Sequence, residues 1–347
     1  MDTPSGMTPA RVTNRVTRHQ TDIGTLRRAV AVIVVGLAAA GAPLLHAQEE
    51  LTPKPAIMAP LAKSSLMLDV AVAGDALVAV GERGHVLVST DEGATWQQSE
   101  VPTQSMLSAV FFHDASLGWA VGHDSVIIRT TDGGKTWEIV NWAPEDEAPL
   151  FDVWFEDADN GFAVGAYGTF LVTSDGGDTW DWEPVSDDDW HLHKFAADDA
   201  GRFFIAAEAG FVYRSDDGGA TWTDLPSPYE GSYFGILPLG GDTLLLFGLR
   251  GHLFRTEDAG ESWQAIETGT VAMLNDGVLL GDGTVMIVGL GGTVLMSSDG
   301  GRTFDLHRQA NRRGISSIVQ TADDTVLLAG EFGVKTTRIS SLAETTD

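Results

Sequence analysis

The chain has 347 residues, of which 49 are acidic and 21 basic, and it contains no cysteine. This length allows one large domain or two ordinary ones with a substantial core. Without cysteine we expect no disulfide, thiolate metal site or lipoprotein anchor. The acidic excess disfavours nucleic acid and anionic lipid as partners, although acid-rich surfaces also suit proteins of salty media. The 40 glycines, spread among β-branched and aromatic residues, favour short strands and tight turns and predict an all-β fold.

The first 47 residues differ in kind from the rest. Five arginines precede an apolar run from Ala29 to Leu45, and small residues follow it. That order is typical of a secretory signal peptide, so we expect cleavage after Ala47 and a periplasmic mature protein. A retained anchor is less favoured, because the run is short for a membrane span and contains Pro43. The mature chain would hold 16 basic and 47 acidic residues, a net charge of −31.

An eight-residue segment recurs six times, for example as TTDGGKTW at 130–137 and TSDGGDTW at 173–180. Its aspartates are 41 to 43 residues apart, and a period of that length is typical of a propeller or a solenoid. We call this segment the Asp box. Its aspartates and aromatic residues are Asp91 and Trp96, Asp132 and Trp137, Asp175 and Trp180, Asp217 and Trp222, Asp258 and Trp263, and Asp299 and Phe304.

A second landmark, mostly of the form Val-Gly-x-x-Gly, precedes every box and occurs a seventh time near residue 330. Each unit predicts four strands, A to D, with the box between C and D. The sequence therefore predicts a seven-bladed β-propeller of four-stranded blades over 55–340, after a linker 48–54 and before a tail 341–347. The seventh unit has no box, so we expect 55–63 to add its outer strand and close the ring.

The residue types of the box predict a closed turn. The carboxylate of Asp132 can accept backbone N–H bonds within its own turn, and Gly134 permits a positive φ. The hydroxyl of Thr136 can add a bond, and we expect Trp137 and its equivalents to pack, buried, between sheets. Each box thus has a structural role at a C–D corner.

Blades two and three, LGWAVGHDSVIIRTTDGGKTW and NGFAVGAYGTFLVTSDGGDTW, resemble the photosystem II assembly and stability factor family, and the likeness extends over about residues 55–338. That family consists of seven-bladed propellers on the lumenal or periplasmic side, with relatives in non-photosynthetic bacteria. The resemblance implies a non-catalytic assembly or accessory factor, which in photosynthetic members serves photosystem II. Its expected partner is an envelope membrane protein or its assembly intermediate, and we expect the propeller itself to be a monomer.

Length variation indicates where such a partner would bind. The connections from strand D to the next strand A vary in length, whereas the spacing of landmark to box is nearly constant. Functional loops on a rigid scaffold behave in this way. The D–A loops share one end of the ring with the B–C turns, and aromatic and arginine residues there are typical of interface hot spots. The predicted partner-binding residues are Arg83, His123, Tyr167, Glu208, Arg250, Arg312, Arg313, Tyr229 and Trp190.

Two alternatives remain for this face. It can consist of ordinary solvated loops, in which case its arginines neutralise Glu82, Glu208 and Glu331. Alternatively, the chain is a glycoside hydrolase, either sialidase-like or a two-carboxylate glycosidase, because such enzymes carry Asp boxes as well. A sialidase is disfavoured because its arginine motif Arg-Ile-Pro is absent and the chain has four tyrosines.

A column of residues near the start of strand A bears on the two-carboxylate glycosidase alternative. We favour hydrogen bonding to nearby backbone for its carboxylates, over cation binding or catalysis. The column consists of Asp69, Ser108, Asp152, Lys194, Gly235, Asp276 and Ser316. His123, His191 and His193 form only a weak metal pattern. We therefore predict no catalytic residue, no metal and no cofactor.

Overall fold

The computed structural model describes residues 51–343. The expected signal peptide, its cleavage site after Ala47 and the last four residues lie outside the described residues. Between 51 and 343 the chain forms six four-stranded antiparallel sheets and one three-stranded sheet. These sheets are the seven blades of a β-propeller. No helix of this range is long and apolar enough to cross a bilayer.

Strands A and B form the inner half of each blade. The A strands are β1 (Met67–Ala73), β5 (Leu107–Phe112), β9 (Leu150–Phe155), β13 (Leu192–Ala197), β17 (Tyr233–Gly240), β21 (Leu274–Leu279) and β25 (Ile315–Ala322). The B strands are β2 (Ala76–Gly81), β6 (Gly118–Gly122), β10 (Gly161–Gly165), β14 (Phe203–Ala207), β18 (Thr243–Gly248), β22 (Val285–Gly289) and β26 (Thr325–Gly330).

Strands C and D form the outer half. The C strands are β3 (Val86–Ser89), β7 (Ile127–Thr130), β11 (Phe170–Thr173), β15 (Val212–Ser215), β19 (Leu253–Thr256), β23 (Thr293–Ser297) and β27 (Gly333–Arg338). The D strands are β4 (Gln97–Gln98), β8 (Glu138–Asn141), β12 (Asp181–Trp182), β16 (Thr223–Asp224), β20 (Gln264–Ile266) and β24 (Asp305–Arg308).

Short helices occupy the connections. The B–C turns of blades one to six are single 3₁₀ turns at Glu82–Gly84, His123–Ser125, Ala166–Gly168, Glu208–Gly210, Leu249–Gly251 and Leu290–Gly292. Two further 3₁₀ turns, Ala62–Ser64 and Pro144–Asp146, precede blades one and three, and the helix α1 (Ile339–Ala343) follows blade seven.

The core lies between neighbouring blades, where the B strands are almost continuously buried and read as apolar runs. Trp119 is fully buried and its ring stacks on Phe155 of the next blade, with 3.4 Å between centroids. Each blade therefore needs its neighbour to exclude water from its apolar surface.

The Asp box folds as its residue types predict. The carboxylate of Asp132 accepts the N–H of Lys135 at 3.0 Å, the N–H of Thr136 at 2.9 Å and the hydroxyl of Thr136 at 2.7 Å. Gly134 has a φ of 84°. The hydroxyl of Thr130, the first residue of the box, accepts the N–H of Gly134 at 3.0 Å and donates to Asp132.

The box aromatics are less buried than expected. Trp137 is 8% exposed and packs in the cluster between blades one and two. The others are only partly buried, because they cover the outer edge of the interblade cores and remain in contact with solvent. They are Trp96, Trp180, Trp222, Trp263 and Phe304.

The expectation that residues 55–63 complete blade seven is wrong. The N–H of Ala56 donates to Val101 O at 2.8 Å and the N–H of Ala59 donates to Gln98 Oε1 at 2.8 Å, so this segment lies along the outer part of blade one. Pro55 and Pro60 lack the N–H donors that a ladder strand needs. Blade seven has three strands, and β27 is its outermost.

The helix α1 takes the role that a box aromatic has in the other blades. Leu342 is 1% exposed and packs with Val288 and Val326 between blades six and seven, where no box aromatic lies. The expected domain boundary at residue 340 cuts through this helix. Residues 341–343 belong to the propeller and not to a tail.

Candidate functional site: the D–A face and the channel mouth

We call the end of the ring that carries the D–A loops and the B–C turns the D–A face. Its turns and loops are in contact: the N–H of Gly168 donates to Trp190 O at 3.0 Å, and a Cβ at Gly84 would collide with the carbonyl oxygen of Thr103. Glycine is required at such a close approach. The D–A face is therefore built on a rigid layer of backbone contacts.

In five B–C turns the middle residue is not glycine and lies in the left-handed region. Their φ values lie between 56° and 61°, a conformation that costs an L residue about 1–2 kcal/mol. Such strain clusters at functional positions. The residues are Arg83, Asp124, Tyr167, Ala209 and Arg250.

Most of the predicted partner-binding residues are exposed on the D–A face. Arg83, His123, Tyr167 and Arg250 are exposed in turns, and Arg312 and Arg313 are exposed in the loop before blade seven. Tyr167 donates its N–H to His191 Nδ1 at 3.0 Å, and Glu208 accepts the N–H of His191.

Trp190 and Tyr229 pack inward and support the loops. The ring of Trp190 stacks on Phe211 with centroids 5.4 Å apart, and the ring of Tyr229 lies 4.0 Å from that of His252. Both aromatics belong to loops of the D–A face, and their ring contacts hold these loops in position.

Arg250 and Arg312 meet in a groove between blades five and six, together with Arg308. The groove has a volume of about 810 Å³ and includes the exposed apolar residues Val271 and Leu290. We call it the arginine groove. Arg83 and Arg313 do not line it. Arg308 was not predicted; its place at the end of strand D, on the D–A side, was the available signal.

The arginines of the D–A face have no carboxylate partner. Across residues 51–343, Arg83, Arg250, Arg308, Arg312 and Arg313 form no direct ion pair with Glu82, Glu208, Glu331 or any other carboxylate. The carboxylate of Glu331 instead accepts the N–H of Gly314 at 2.8 Å.

Five of the other six arginines of residues 51–343 are paired and structural, and Arg338 is the exception. Arg129 of strand C donates to Gly176 O at 3.0 Å and to Asp178 at 2.7 Å, and Arg255 donates to Gly300 O at 2.9 Å. Each bond joins one blade to the next blade's box. Five of the six unpaired arginines of residues 51–343 thus lie on one face, and Arg338 lies at the other end of the ring.

A β-bulge near the start of every A strand shapes the mouth of the central channel. In β1 the partners step from Met67 to Asp69, and in β9 from Leu150 to Asp152. The same step occurs in the other five A strands. A bulge redirects its extra side chain. The seven bulge residues, which we call the bulge ring, are Leu68, Ser108, Phe151, His193, Phe234, Asn275 and Ser316.

The column of residues predicted from the sequence mixes members of two different rings, so the prediction needs correction. Ser108 and Ser316 belong to the bulge ring, and the true equivalents of Asp69 are Ala109 in blade two and Ser317 in blade seven. Spacing alone cannot resolve this one-residue shift. The residues that directly follow the bulge residues form a second ring, which we call the deeper ring. Its charged members are Asp69, Asp152, Lys194 and Asp276.

The carboxyls of the deeper ring join blades. Asp69 accepts the N–H of Val110 at 2.9 Å, and Asp152 accepts that of Phe195 at 3.0 Å. Lys194 lies 3.2 Å from Asp152. Burial by itself would lower the pKa of Lys194, but the surrounding carboxylates raise it, so the ammonium stays charged.

Asp69 and Asp276 share a hydroxyl. Ser317 Oγ lies 2.7 Å from Asp69 Oδ1 and 2.8 Å from Asp276 Oδ2. A hydroxyl has one proton, so Ser317 can donate to only one of the two carboxyls at a time. Burial raises the pKa of Asp69 to about 6, and the charge of Asp276 contributes to the rise.

This geometry gives the carboxyls a structural role. The space beside them is about 100 Å³, well below the roughly 300–1,000 Å³ of ligand pockets. Within residues 51–343 no group of three or more histidine and acidic residues is placed to hold a metal ion. His191 and His193 face different partners, Tyr167 N–H and Tyr233 O.

Known proteins share this architecture. A curated relative, photosystem II stability/assembly factor HCF136 of Cyanidioschyzon merolae, is 43% identical over 54 residues, which are 15% of this chain and 12% of the relative. A solved structure of YCF48 bound to D1 peptide has a TM-score of 0.67 at 18% identity, covering 86% of this chain and 98% of the other.

A virginiamycin B lyase from Staphylococcus aureus has a TM-score of 0.70 at 11% identity, covering 80% of this chain and 96% of the lyase. At such identities the likeness shows the fold alone, and a similar ring serves an enzyme as well as a binding protein. A sequence profile identifies the family, because it matches residues 89–148 and 139–281, more than half of the chain. The chain therefore belongs to the family described as photosynthesis system II assembly factor YCF48.

Proposed function

We propose that this chain is an exported, non-catalytic propeller that binds an envelope membrane protein, or its assembly intermediate, through the D–A face. The partner in a photosynthetic cell is a photosystem II protein. The proposal includes cleavage after Ala47, a periplasmic location, a monomeric state, and no binding of nucleic acid or anionic lipid. Family membership, and the D1 peptide bound to the YCF48 relative, support the class of partner.

The observation that carries the proposal is the set of unpaired arginines. The chain has far more acidic than basic residues, yet Arg250, Arg308 and Arg312 converge in one groove whose lining holds a single carboxylate, that of Glu267, and none of the three forms an ion pair with it. Guanidinium groups bind carboxylates in a bidentate manner. We therefore expect an acidic segment of the partner to lie in the arginine groove.

The test uses affinity-tagged mature protein and detergent-solubilised membranes. Replacing Arg250 and Arg312 by alanine should abolish capture of the membrane protein and leave the fold intact. The matched control replaces Lys135 and Arg302, exposed in Asp boxes at the other end of the ring, and also removes two positive charges. Equal loss of capture in both variants would indicate non-specific electrostatic attraction.

Identification of the captured protein by mass spectrometry decides the partner class. Soluble proteins alone in the captured fraction would contradict the proposal. N-terminal sequencing of the exported chain should begin at Gln48, and a sequence that begins at Met1 would contradict export by cleavage.

A further inference from the structure

The bulge ring is a feature that binding by arginines does not explain. All seven bulge residues line one cavity at the channel mouth, with a volume of about 590 Å³. That volume lies within the range of about 300–1,000 Å³ that is typical of ligand pockets. Every blade contributes one side chain to it, so the cavity is a product of the whole ring.

The wall of the cavity is mainly apolar and aromatic. The ring of His193 lies between those of Phe151 and Phe234, with centroids 5.7 Å and 4.8 Å away, and Leu68 and Met273 complete much of the wall. His193 Nδ1 lies 2.8 Å from Tyr233 O and donates its proton there. Burial lowers the pKa of His193 to about 4, so the ring is uncharged at neutral pH.

The charged residues of the deeper ring restrict which ligand groups can enter the cavity. Asp69, Asp152 and Asp276 face one cation, Lys194, and their oxygens already accept bonds between blades. These carboxylates would repel an anionic ligand group, and the ammonium of Lys194 is already paired with Asp152. An uncharged apolar side chain fits both the wall and the floor.

The mouth is continuous with the arginine groove. Leu290 is 42% exposed and lines both cavities. A chain that enters the mouth therefore has its neighbouring residues beside Arg250 and Arg312, where acidic side chains are favoured. The two cavities together select an apolar residue within an acidic segment.

We propose that the bulge ring binds one large apolar side chain, of the size of Leu, Met or Phe, from an acidic segment that lies in the arginine groove. The inference rests on the proposed function in that the ligand is a protein segment. A buried anchor side chain with charged contacts around it is the usual arrangement of an interface hot spot.

The test uses three synthetic peptides of equal length, each blocked at both ends: one acidic with a central Phe, one acidic with Ser in its place, and one neutral with the Phe. Binding to the full mature chain is measured by calorimetry. Burying the Phe side chain should make the acidic Phe peptide bind about tenfold to a hundredfold more tightly than the acidic Ser peptide.

The variant Ser108→Trp fills the mouth and should abolish this preference. Ser108 makes no side-chain hydrogen bond with any residue of 51–343, so the loss of its hydroxyl is harmless, and Ser316→Trp is a second plug if the first does not fold. The matched control is Ala200→Trp, at an exposed turn on the opposite end of the ring. It should keep the preference.

The outcomes separate the two proposals. Equal affinity for the two acidic peptides, or a preference that survives Ser108→Trp, overturns the anchor while the arginine groove stands. Binding of the neutral Phe peptide as tightly as the acidic one, lost in Ser108→Trp, supports the anchor and overturns the role of the arginines. Failure of all three peptides to bind overturns both.

Discussion

At the scale of single residues, Arg83 and Arg250 combine a strained, left-handed backbone conformation with a side chain exposed to solvent. Arg83 and Arg250 adopt φ values of 58° at positions where blade six has Gly291. A glycine there would relieve the strain, so the arginines are retained at a cost in stability. We interpret this cost as the consequence of presenting a guanidinium at the tip of a rigid turn.

The variant Arg250→Asn tests that interpretation. Asparagine tolerates the left-handed region better than other side chains, so the free energy of unfolding should rise by about 0.5–1 kcal/mol while capture of the partner weakens. Arg308→Asn, which has no positive φ, should weaken capture without the gain in stability. Denaturant unfolding measures the first effect, and equal stability changes in both variants would contradict the strain.

The box aspartate has a local role. Asp132→Ala removes four hydrogen bonds within one turn, but water reaches much of this carboxylate, so we expect a loss of about 1 kcal/mol and no change in binding. Asp187→Ala, in an exposed loop, removes the same charge and should be nearly neutral. A thermal midpoint that is the same in both variants would show that the turn is held otherwise.

At the scale of elements, the repeat predicts what repeats and fails where a unit is exceptional. Strands, Asp boxes and the shared D–A face follow from the 41- to 43-residue period. The bulges do not, because the spacing of the repeat does not show where an extra residue enters strand A, and Ser108 was therefore assigned to the wrong ring. The incomplete seventh unit correctly predicted that blade seven lacks its outer strand. The prediction that residues 55–63 supply this strand was wrong.

Part of the geometry of the candidate site could also be predicted from the sequence. Loop length and residue type pointed to Arg250 and Arg312 as exposed residues of the D–A face, because these properties are visible in the sequence. The inward packing of Trp190 and Tyr229, and the convergence of Arg308 with the other two arginines, depend on tertiary contacts that spacing does not encode.

The helix α1 should be essential to blade seven. Leu342→Ala removes a side chain that is 1% exposed from the core between blades six and seven, and we expect a loss of about 2–4 kcal/mol. Leu61→Ala, at a residue that is 72% exposed, is the control. Chemical denaturation compares the two, and near-identical midpoints would mean that α1 does not replace a box aromatic.

At the scale of the whole molecule, stability should depend on pH through Asp69. Folding raises the pKa of this carboxyl from 3.8 to about 6, so the folded state binds more protons than the unfolded state between these values. Its contribution, at most about 3 kcal/mol, is complete below about pH 4 and is lost as pH rises through 6. The pKa of Asp175, lowered to about 2 by bonds to Thr179, acts in the opposite sense below pH 4.

We therefore expect the highest stability near pH 4–5 and a decline towards pH 7. Asp69→Asn should flatten that decline, whereas Asp187→Asn should preserve it. Thermal unfolding at half-unit steps of pH measures both curves. A decline of equal size in Asp69→Asn would assign it to the general acidity of the chain.

Because the seventh blade has three strands and, in the described residues, no connection to blade one, the ring closes by non-covalent contact between the first and the last blade. Between residues 51 and 343 no backbone ladder joins blades one and seven, and no connecting loop passes between them as it does at the other six junctions. Closure depends on apolar contacts around Met67 and Leu327 and on the contact from Asp69 to Ser317. Blades one and seven thus associate without a covalent link between them, as two subunits would. The carboxyl of Asp69, whose pKa burial raises to about 6, lies at that junction, so we expect ring closure to be weaker above pH 6 than below it.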